Sequence, residues 1–497
     1  MNLENKKQSI FQNWISIAGT IFSAIWFSAI IVLFILDFRA HEGNPYLGIF
    51  TYLIAPIFLI ISLVMIPIGA WLERRKRLKK DYVRRFPIID FNNPIHQKLA
   101  YITWAVMTGF LILTIVGSYK AYEFTESVTF CGKTCHEPMH PEFTAYQNSP
   151  HARVGCVECH IGPGVDWFVR SKLAGTYQVY SVLFNKYHRP IETPVKNLRP
   201  AQETCEKCHW PQEFFGAVEQ DHEYFLSDEK NTPWKTRMLM FVGGGKPTYG
   251  KKEGIHWHMN INSKVYYIAE DEKRQSIPWM KVIHSDGKEE VFVDSTSKYS
   301  IDDPPKGELR LMDCMDCHNR PSHNFQSPVD QVNEALSLGD IDRDIPYIKR
   351  EAVKALAAEY TSTEDAKASI QEKLEQFYQK KYPDVWSQKK ANIDQAVKTT
   401  IHIYQTNLFP SMKVSWKKYP DNIGHMIFPG CFRCHDNNHK SSTGKVLSKD
   451  CNTCHAIIEQ GPMEATEKSV DGLPFRHPDE SEEGWKEMNC ADCHTGD

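Results

Sequence analysis

Three long runs of apolar residues without a single charge dominate the first quarter of the chain. They cover residues 14–36, 47–72 and 99–119. Each is at or above the roughly 20 residues that span a hydrocarbon core, and helices buried in globular cores rarely run this long without a charge. The pattern therefore predicts three transmembrane helices, which form an anchor over residues 1–122.

The charges between these runs predict the orientation of the anchor. Residues 73–98 carry nine Lys or Arg against three acids, and short loops rich in Lys and Arg stay in the cytoplasm. The N-terminus is then cytoplasmic as well, whereas residues 37–45 and everything after Lys120 lie on the outer side of a bacterial inner membrane. The first run is too long for a signal-peptide core and no small-residue cleavage site follows it, so we expect an uncleaved anchor in contact with membrane lipid.

The remainder of the chain is polar enough to fold in water. Of the 497 residues, 42% are hydrophobic and 24% are charged, and the length predicts more than one folded unit. Lys plus Arg number 58 and Asp plus Glu 61, which gives a net charge of -3. Because this balance provides no overall basic field, DNA and RNA are not expected as partners.

All 14 cysteines fall into seven pairs that are each followed directly by a histidine. Six pairs have the form C-x-x-C-H and the first is C-x-x-x-C-H. This spacing lets two thiols reach the two vinyl groups of one porphyrin while the adjacent imidazole lies under the iron. One such motif could belong to a zinc site or a redox disulfide, but seven that use every cysteine predict seven covalently bound c-type haems. The motifs are Cys131/Cys135 with His136, Cys156/Cys159 with His160, Cys205/Cys208 with His209, Cys314/Cys317 with His318, Cys431/Cys434 with His435, Cys451/Cys454 with His455, and Cys490/Cys493 with His494.

The spacing of the motifs divides the outer domain into regions that contain motifs and two long inserts between them. The segments V-Y-Y-I-A and V-F-V-D-S alternate in polarity and a D-G turn lies nearby, which predicts a small antiparallel sheet. Apolar residues recur at helical spacing further along. The predicted fold is three N-terminal transmembrane helices plus a multihaem cytochrome c domain, mainly α and irregular, with two inserts that serve as spacers or docking faces. Its regions are 123–212 with three motifs, 213–313 as the β-rich insert, 314–327 with the fourth motif, 328–424 as the helical insert, and 425–497 with the last three motifs.

Histidines outside the motifs are the candidates for the second axial ligand of each iron, and they outnumber the positions to be filled. Each has an alternative role as a surface residue or a contact to a haem propionate. In I-H-W-H-M, His256 and His258 would share one face of a strand, so we expect one of them, His258, to reach an iron. Met139 follows His136 by three residues and either ligates the first iron or packs in the core. Five further candidates lie close to motifs: His151, His323, His425, His439 and His477. Weaker candidates are His188, His222, His284 and His402.

The first three motifs and their flanks carry a family resemblance. T-F-C-G-K-T-C-H-E-P-M-H-P-E-F, N-S-P-H-A-R-V-G-C-V-E-C-H-I-G-P-G, R-S-K-L-A-G-T-Y-Q-V-Y and C-E-K-C-H-W-P resemble the NapC/NirT family of membrane-anchored, quinol-oxidising cytochromes. Three spans followed by seven motifs are similar, over essentially the whole chain, to the seven-haem inner-membrane cytochromes of metal-reducing bacteria. The resemblance implies oxidation of menaquinol at the membrane–water boundary on the outer side of the inner membrane. It also implies electron delivery to periplasmic c-type cytochromes, as in respiration of extracellular acceptors.

The resemblance also implies a quinol pocket near the first haem. The family places a lysine after its second motif, and Lys172 stands at about that offset from His160. The acidic residue expected further along is not matched, because Gln178 and Tyr180 occupy that neighbourhood, so Asp166 is the nearest substitute. Lys172 would orient the quinol ring, Asp166 would accept a proton, and Met139 would lie against the first haem. The alternative for Lys172 is a lysine that snorkels to the membrane interface.

Two other functions compete with quinol dehydrogenation. A terminal reductase of the nitrite or hydroxylamine type needs one iron with an open face, but no C-x-x-C-K motif is present and histidines are plentiful. The second competing function is that of a membrane anchor and electron donor for a partner reductase. The protein would then form a complex with that partner or a homo-oligomer.

Overall fold

A computed structural model describes most of the chain in two compact units. The first unit comprises residues 1–127 and 160–180, and the second comprises 128–159 and 181–497. Most of the linker between the first two predicted spans, the start of the second span, the middle of the basic loop, and Cys135 lie outside the described residues. The described ranges are 10–11, 13–39, 55–78, 92–134, 136–162, 165–195, 199–210, 214–243, 254–259, 263–479 and 483–497.

Two apolar helices in the first unit can serve as a membrane anchor. Helix α1 is Trp14–Arg39 and α2 is Ala55–Arg77. Among the described residues, stretches long and apolar enough to cross a hydrocarbon core are Trp14–Ile31 and all of α2, and only 11% and 22% of their most apolar windows are buried. Apolar side chains that face outward on both helices suit contact with lipid tails.

Small residues bring α1 and α2 together. A Cβ atom on Gly19 would lie 2.8 Å from the carbonyl oxygen of Ser62, so only glycine permits this approach. The Ser16 hydroxyl donates to the Ile66 carbonyl at 2.8 Å, and the Ser23 hydroxyl donates to that of Ser62 at 3.0 Å. Small side chains and hydrogen bonds between helices are the features that join helices in a membrane, where burial of apolar surface contributes little.

The predicted third span lies within helix α3, Pro94–Thr125. The helix begins where the Asn93 side chain accepts a hydrogen bond from the backbone N–H of Ile95, with Pro94 as the first helical residue. Its 32 residues extend about 48 Å at 1.5 Å per residue, which exceeds the thickness of a hydrocarbon core. That this helix crosses the membrane stays a prediction.

Short helices surround the motifs and longer ones form a separate bundle. Residues 328–407 fold into five helices whose apolar faces share one core, with Ile348, Leu356, Ile370 and Tyr378 fully buried. The helices after α3 are α4 His136–Gln147, α5 Cys156–His160, α6 Val165–Leu183, α7 Ala201–Thr204, α8 Cys314–Cys317, α9 Pro328–Ser337, α10 Ile348–Ala357, α11 Thr363–Lys381, α12 Pro383–Gln388, α13 Lys390–Asn407 and α14 Cys490–Cys493. A π-helical turn at Phe130–Thr134 carries the first motif cysteine, and 3-10 turns are Cys205–Lys207, Ile255–Met259, Pro410–Met412, Trp416–Lys418, Gly430–Arg433, Cys451–Thr453 and Glu483–Lys486.

Two antiparallel sheets correct the prediction that the outer domain is mainly α and irregular outside one β insert. Their orders are β1-β2-β8-β9 and β6-β3-β4-β5-β7. Strands from the region of the last three motifs therefore complete both sheets, and this long-range pairing leaves no local pattern in the sequence. The strands are β1 Ala217–Phe225, β2 Pro233–Phe241, β3 Lys264–Ile268, β4 Trp279–Ile283, β5 Glu289–Asp294, β6 Arg310–Leu311, β7 His439–Ser441, β8 His455–Pro462 and β9 Glu467–Leu473.

Candidate haem sites

Five of the motif histidines face a second histidine ring inside the second unit. The distance between ring centroids is 6.0 to 6.4 Å in every pair, whereas the angle between ring planes ranges from 9° to 89°. The pairs are His151 with His209 (6.2 Å), His256 with His318 (6.4 Å), His258 with His435 (6.0 Å), His425 with His455 (6.3 Å) and His477 with His494 (6.1 Å).

This spacing fits two imidazoles on opposite sides of one iron. A ligating nitrogen lies about 2 Å from its metal, and the ring centre is about 1 Å further out, so two opposed rings are roughly 6 Å apart. Rings in direct contact come closer: His425 and Phe432 stack at 4.3 Å with an interplanar angle of 11°. His256 and His318 are nearly as parallel, at 9°, but 6.4 Å apart. The gap between paired histidines therefore has room for a flat group.

A cavity of about 3240 Å³ joins these five pairs and carries cysteines of the second to seventh motifs on its walls. A pocket for one small molecule is usually about 300–1,000 Å³, so this space suits several large groups. Its walls are largely apolar, with side chains such as Trp257, Met280 and Phe292. Thiols, paired imidazoles and apolar walls together are the donor set and surroundings that haem requires.

In each motif but the last, one cysteine thiol lies close to a thiol of the next motif along the sequence. A hydrogen bond with Cys131 lowers the pKa of the Cys156 thiol to about 7, and one with Cys314 lowers the pKa of Cys205. Further pairs whose thiol charges interact are Cys159 with Cys205, Cys317 with Cys431, Cys431 with Cys454, and Cys451 with Cys490. The cysteines of the seven motifs thus form one continuous row, and none of the thirteen described cysteines is in a disulfide.

His256 and His258 both face motif histidines, which corrects the expectation that only one of them does. They lie on the 3-10 turn Ile255–Met259, not on a strand. With three residues per turn, side chains two positions apart point to different sides. His256 therefore faces His318, and His258 faces His435.

Hydrogen bonds of the ring nitrogens prepare four of these ten histidines to bind a metal. An Nδ1–H that donates to a carbonyl leaves Nε2 with its lone pair free for iron. Burial lowers the pKa of His258, His435 and His455, which favours the neutral imidazole that a metal requires. The acceptors are the carbonyls of Pro321 for His151 (3.1 Å), Val242 for His256 (2.8 Å), Ile255 for His258 (3.0 Å) and Ser448 for His435 (3.2 Å).

The structure gives His439 another role than iron ligation. Its Nδ1 lies 2.9 Å from Asp436 Oδ1 and its Nε2 lies 2.7 Å from the Ile277 carbonyl oxygen, so both nitrogens donate and neither is available to a metal. Burial alone would lower the pKa of His439, but these hydrogen bonds outweigh it and raise the pKa. This geometry argues against the prediction that His439 is an axial ligand.

The ligands of the first two haems stay predictions. His323 lies beside α4, with Nδ1 2.9 Å from the Glu142 carbonyl oxygen. Met139 is half-buried within α4. The side chain of His136 lies outside the described residues, so the structure leaves the first site untested.

A buried carboxylate inside the fourth motif was missed by the sequence analysis. Asp316 is 3% exposed and accepts hydrogen bonds from the Tyr267 hydroxyl at 2.5 Å, Arg310 Nε at 2.9 Å and Arg274 Nη1 at 3.1 Å. Burial and the Asp316 charge raise the pKa of Tyr267. The only signal in the sequence is an acid between two haem-binding cysteines, and its partners lie 6 to 49 residues away.

Replacement of this carboxylate should destabilise the second unit strongly. Asp316→Asn removes the negative charge that two partly buried guanidinium groups face, and the loss of these charged hydrogen bonds costs about 1–3 kcal/mol. Denaturant unfolding of the haem-loaded protein would measure the loss. The matched control is Asp302→Asn, on an exposed turn, which should change stability by less than about 0.5 kcal/mol. Equal stability of the two variants would contradict this account.

In the first unit, the structure pairs Lys172 with a carboxylate other than Asp166. Lys172 Nζ lies 2.9 Å from Oε1 of Glu126, at the end of α3. Asp166 and Lys172 are both on α6, but six residues apart on a helix means about 240° of rotation, so their side chains leave on different sides. Asp166 is exposed. Sequence reasoning missed Glu126 because it precedes the first motif, whereas the family pattern directed attention beyond the second.

Comparisons with known proteins agree with this architecture. A model of the NapC/NirT cytochrome c family, N-terminal region, matches residues 94–203, from the first residue of α3 into α7. The chain is 43% identical to cytochrome c-type protein ImcH of Geobacter sulfurreducens over 484 residues, which cover 97% of this chain and 95% of that protein. It is 28% identical to cytochrome c-type protein NrfH of Wolinella succinogenes over 111 residues, 22% of this chain and 62% of that protein. No solved structure matches the chain significantly.

Proposed function

The chain belongs to the NapC/NirT family of c-type cytochromes, and from this premise we propose that it is a seven-haem menaquinol dehydrogenase of the bacterial inner membrane. Membership implies covalently bound haem and a membrane-type multihaem cytochrome. The proposal adds the number of haems, the quinol as electron donor, and periplasmic c-type cytochromes as electron acceptors.

The uniform spacing of the five histidine pairs is the observation that carries this proposal. An iron held by both histidines of a pair would have no open face for a substrate, which would suit electron transfer. A terminal reductase needs such an open face. The pairs therefore favour an electron carrier over a nitrite or hydroxylamine reductase.

The continuous row of attachment cysteines supports the same function. Bound haem supplies one-electron redox chemistry, and the polypeptide decides how many haems there are and in which order they stand. Because each motif adjoins the next in space as in sequence, the row leads from the motif that follows α3 to the one at the C-terminus. Quinol would be oxidised at the first end and a soluble cytochrome would dock at the other.

The anchor supports a cytoplasmic N-terminus and an outer haem domain. Four basic residues close the last turn of α2, Arg74, Arg75, Lys76 and Arg77, and such clusters remain on the cytoplasmic side. Helix α3, which begins the family match, would then return across the membrane and deliver the first motif to the outer boundary. A lipid-soluble quinol can reach that position.

The test is reduction of the detergent-solubilised, haem-loaded protein by a menaquinol analogue under anaerobic conditions. We expect the haem absorbance to change within seconds to the reduced spectrum, and mass spectrometry to show seven covalently attached haems. Reduction by dithionite provides the full amplitude, and an ubiquinol analogue tests the choice of quinol. A protein that dithionite reduces fully but menaquinol does not reduce at all would refute the proposed function.

A further inference from the structure

We infer that Glu126 is the carboxylate that takes up a proton when quinol is oxidised, and that it acts as the partner of Lys172. The inference rests on the proposed function, because it assigns a residue to the quinol site of that reaction. It replaces Asp166, the carboxylate suggested by sequence position, with one that the structure places against the lysine.

The ion pair joins two helices of the first unit. Glu126 is the C-terminal cap of α3, and its Oε1 lies 2.9 Å from Lys172 Nζ. The Thr125 hydroxyl oxygen lies 3.4 Å from the same nitrogen. The Glu126 side chain is only 14% exposed, whereas that of Lys172 is 38% exposed. A shielded acceptor and a more accessible cationic donor thus stand side by side, directly after the apolar part of α3.

An apolar stripe on α6 adjoins this pair. Val169, Leu173 and Tyr177 follow each other at four-residue spacing, which places them along one side of the helix. They are 38%, 67% and 66% exposed, and Lys172 directly precedes the middle one in sequence. A quinol needs both surfaces: its ring oxygens require polar partners, and its ring and tail require apolar contact. In the first unit, helix α6 offers both the polar and the apolar surface.

The chemistry needs a base beside the quinol. Oxidation of one quinol breaks two O–H bonds, releases two protons and sends two electrons, one at a time, to two equivalents of ferric haem. Lys172, as an ammonium, donates a hydrogen bond to one quinol oxygen and holds the ring. Glu126, as a carboxylate, accepts the proton from the O–H group and releases it to water on the outer side.

A purely structural ion pair is the alternative for these residues. Ion pairs at a protein surface contribute little to stability, and the 38% exposure of Lys172 leaves its ammonium in contact with solvent. A structural pair would therefore leave turnover unchanged when neutralised, whereas a proton acceptor would not. Kinetics can separate the two roles.

The experiment compares variants of the full-length, haem-loaded protein in menaquinol-dependent reduction. Glu126→Gln should lower kcat by at least about 100-fold, as expected for loss of a general base, and leave KM nearly unchanged. Lys172→Gln should mainly raise KM, because it removes an interaction that holds the quinol. The matched control is Glu123→Gln, one turn earlier on α3, where the carboxylate is 58% exposed and pairs with Lys120; it should behave as the wild type. Haem content and the dithionite-reduced spectrum verify that each variant is intact.

A conservative variant distinguishes chemistry from packing. Glu126→Asp keeps a carboxylate and should recover most of the turnover that Glu126→Gln loses. Equal kcat in the Gln and Asp variants, or a wild-type kcat in Glu126→Gln, would overturn the inference. A wild-type protein that menaquinol fails to reduce would instead refute the proposed function, so the two failures are distinguishable.

Discussion

His258→Ala will convert one ferric haem from low-spin to high-spin, whereas His439→Ala will leave the spin states of the wild-type haems unchanged. His439 is four residues from motif histidine His435 and His258 is far from every motif in the sequence, but it is His258 that faces His435, at 6.0 Å. We expect its loss to remove one of the two protein ligands proposed for the fifth iron. The measurement is electron paramagnetic resonance of the fully oxidised protein, supported by the high-spin optical band.

The ring angles restrict this prediction to one class of low-spin signal. Ferric haems with nearly parallel axial imidazoles give rhombic low-spin spectra, and nearly perpendicular planes give a more anisotropic signal with one very large g value. The planes of His258 and His435 are at 89°, and those of His151 and His209 are at 75°. His258→Ala should therefore remove part of the strongly anisotropic signal and spare the rhombic one.

His439→Ala should instead act on stability. It leaves the Asp436 carboxylate and the Ile277 carbonyl without their buried donor, at a cost of about 1–3 kcal/mol. Because the folded-state pKa of His439 is raised, its contribution is fully present below the unfolded pKa of about 6.5 and is lost as pH rises through the folded value. The destabilisation by His439→Ala should shrink accordingly as pH rises.

The exposed His402 on α13 provides the control for both variants. His402→Ala should change neither the spin state nor the stability measurably. A high-spin signal that the wild type lacks, if it arises in His439→Ala or fails to arise in His258→Ala, would contradict the proposed ligand pairs.

The sequence could predict the haem chemistry because covalent attachment requires a fixed local spacing. A C-x-x-C-H motif places thiols and imidazole together whatever the rest of the fold does, so all seven are visible in the sequence. The second ligand has no such constraint. His151 follows the first motif and precedes the second, but it faces His209 of the third motif, 58 positions away. No local rule distinguishes this histidine from His439, whose nitrogens are both occupied.

Pairings across long sequence distances were the features that local patterns could not show. Strand β2 pairs with β8 more than 200 residues later, and β5 pairs with β7. The periodicity of each strand indicates which face is buried but not which partner lies beside it. Glu126 and Lys172 illustrate the same limit on a smaller scale, because their 46-residue separation carries no recognisable motif.

Without covalently attached haem, the second unit should fail to reach this fold. The cavity of about 3240 Å³ cannot stay as a dry void, because a cost of about 24 cal/mol per Å³ would far exceed the 5–15 kcal/mol of stability that a folded protein has. Filled with water, it would expose apolar walls that include Trp257, Met280 and Phe292, which the hydrophobic effect opposes. Haem thus supplies much of the interior, and groups that bind only the native state stabilise it.

This prediction can be tested by producing the chain in cells that lack the haem-attachment machinery and comparing it with the haem-loaded protein. We expect rapid proteolysis between residues 199 and 497 and loss of cooperative unfolding, with the first unit still in the membrane fraction. A variant that lacks only the fifth attachment site, Cys431→Ser with Cys434→Ser, should show an intermediate protease sensitivity, because one group of the row is lost. A haem-free chain with the protease resistance and unfolding midpoint of the loaded protein would show that the polypeptide alone specifies the cavity.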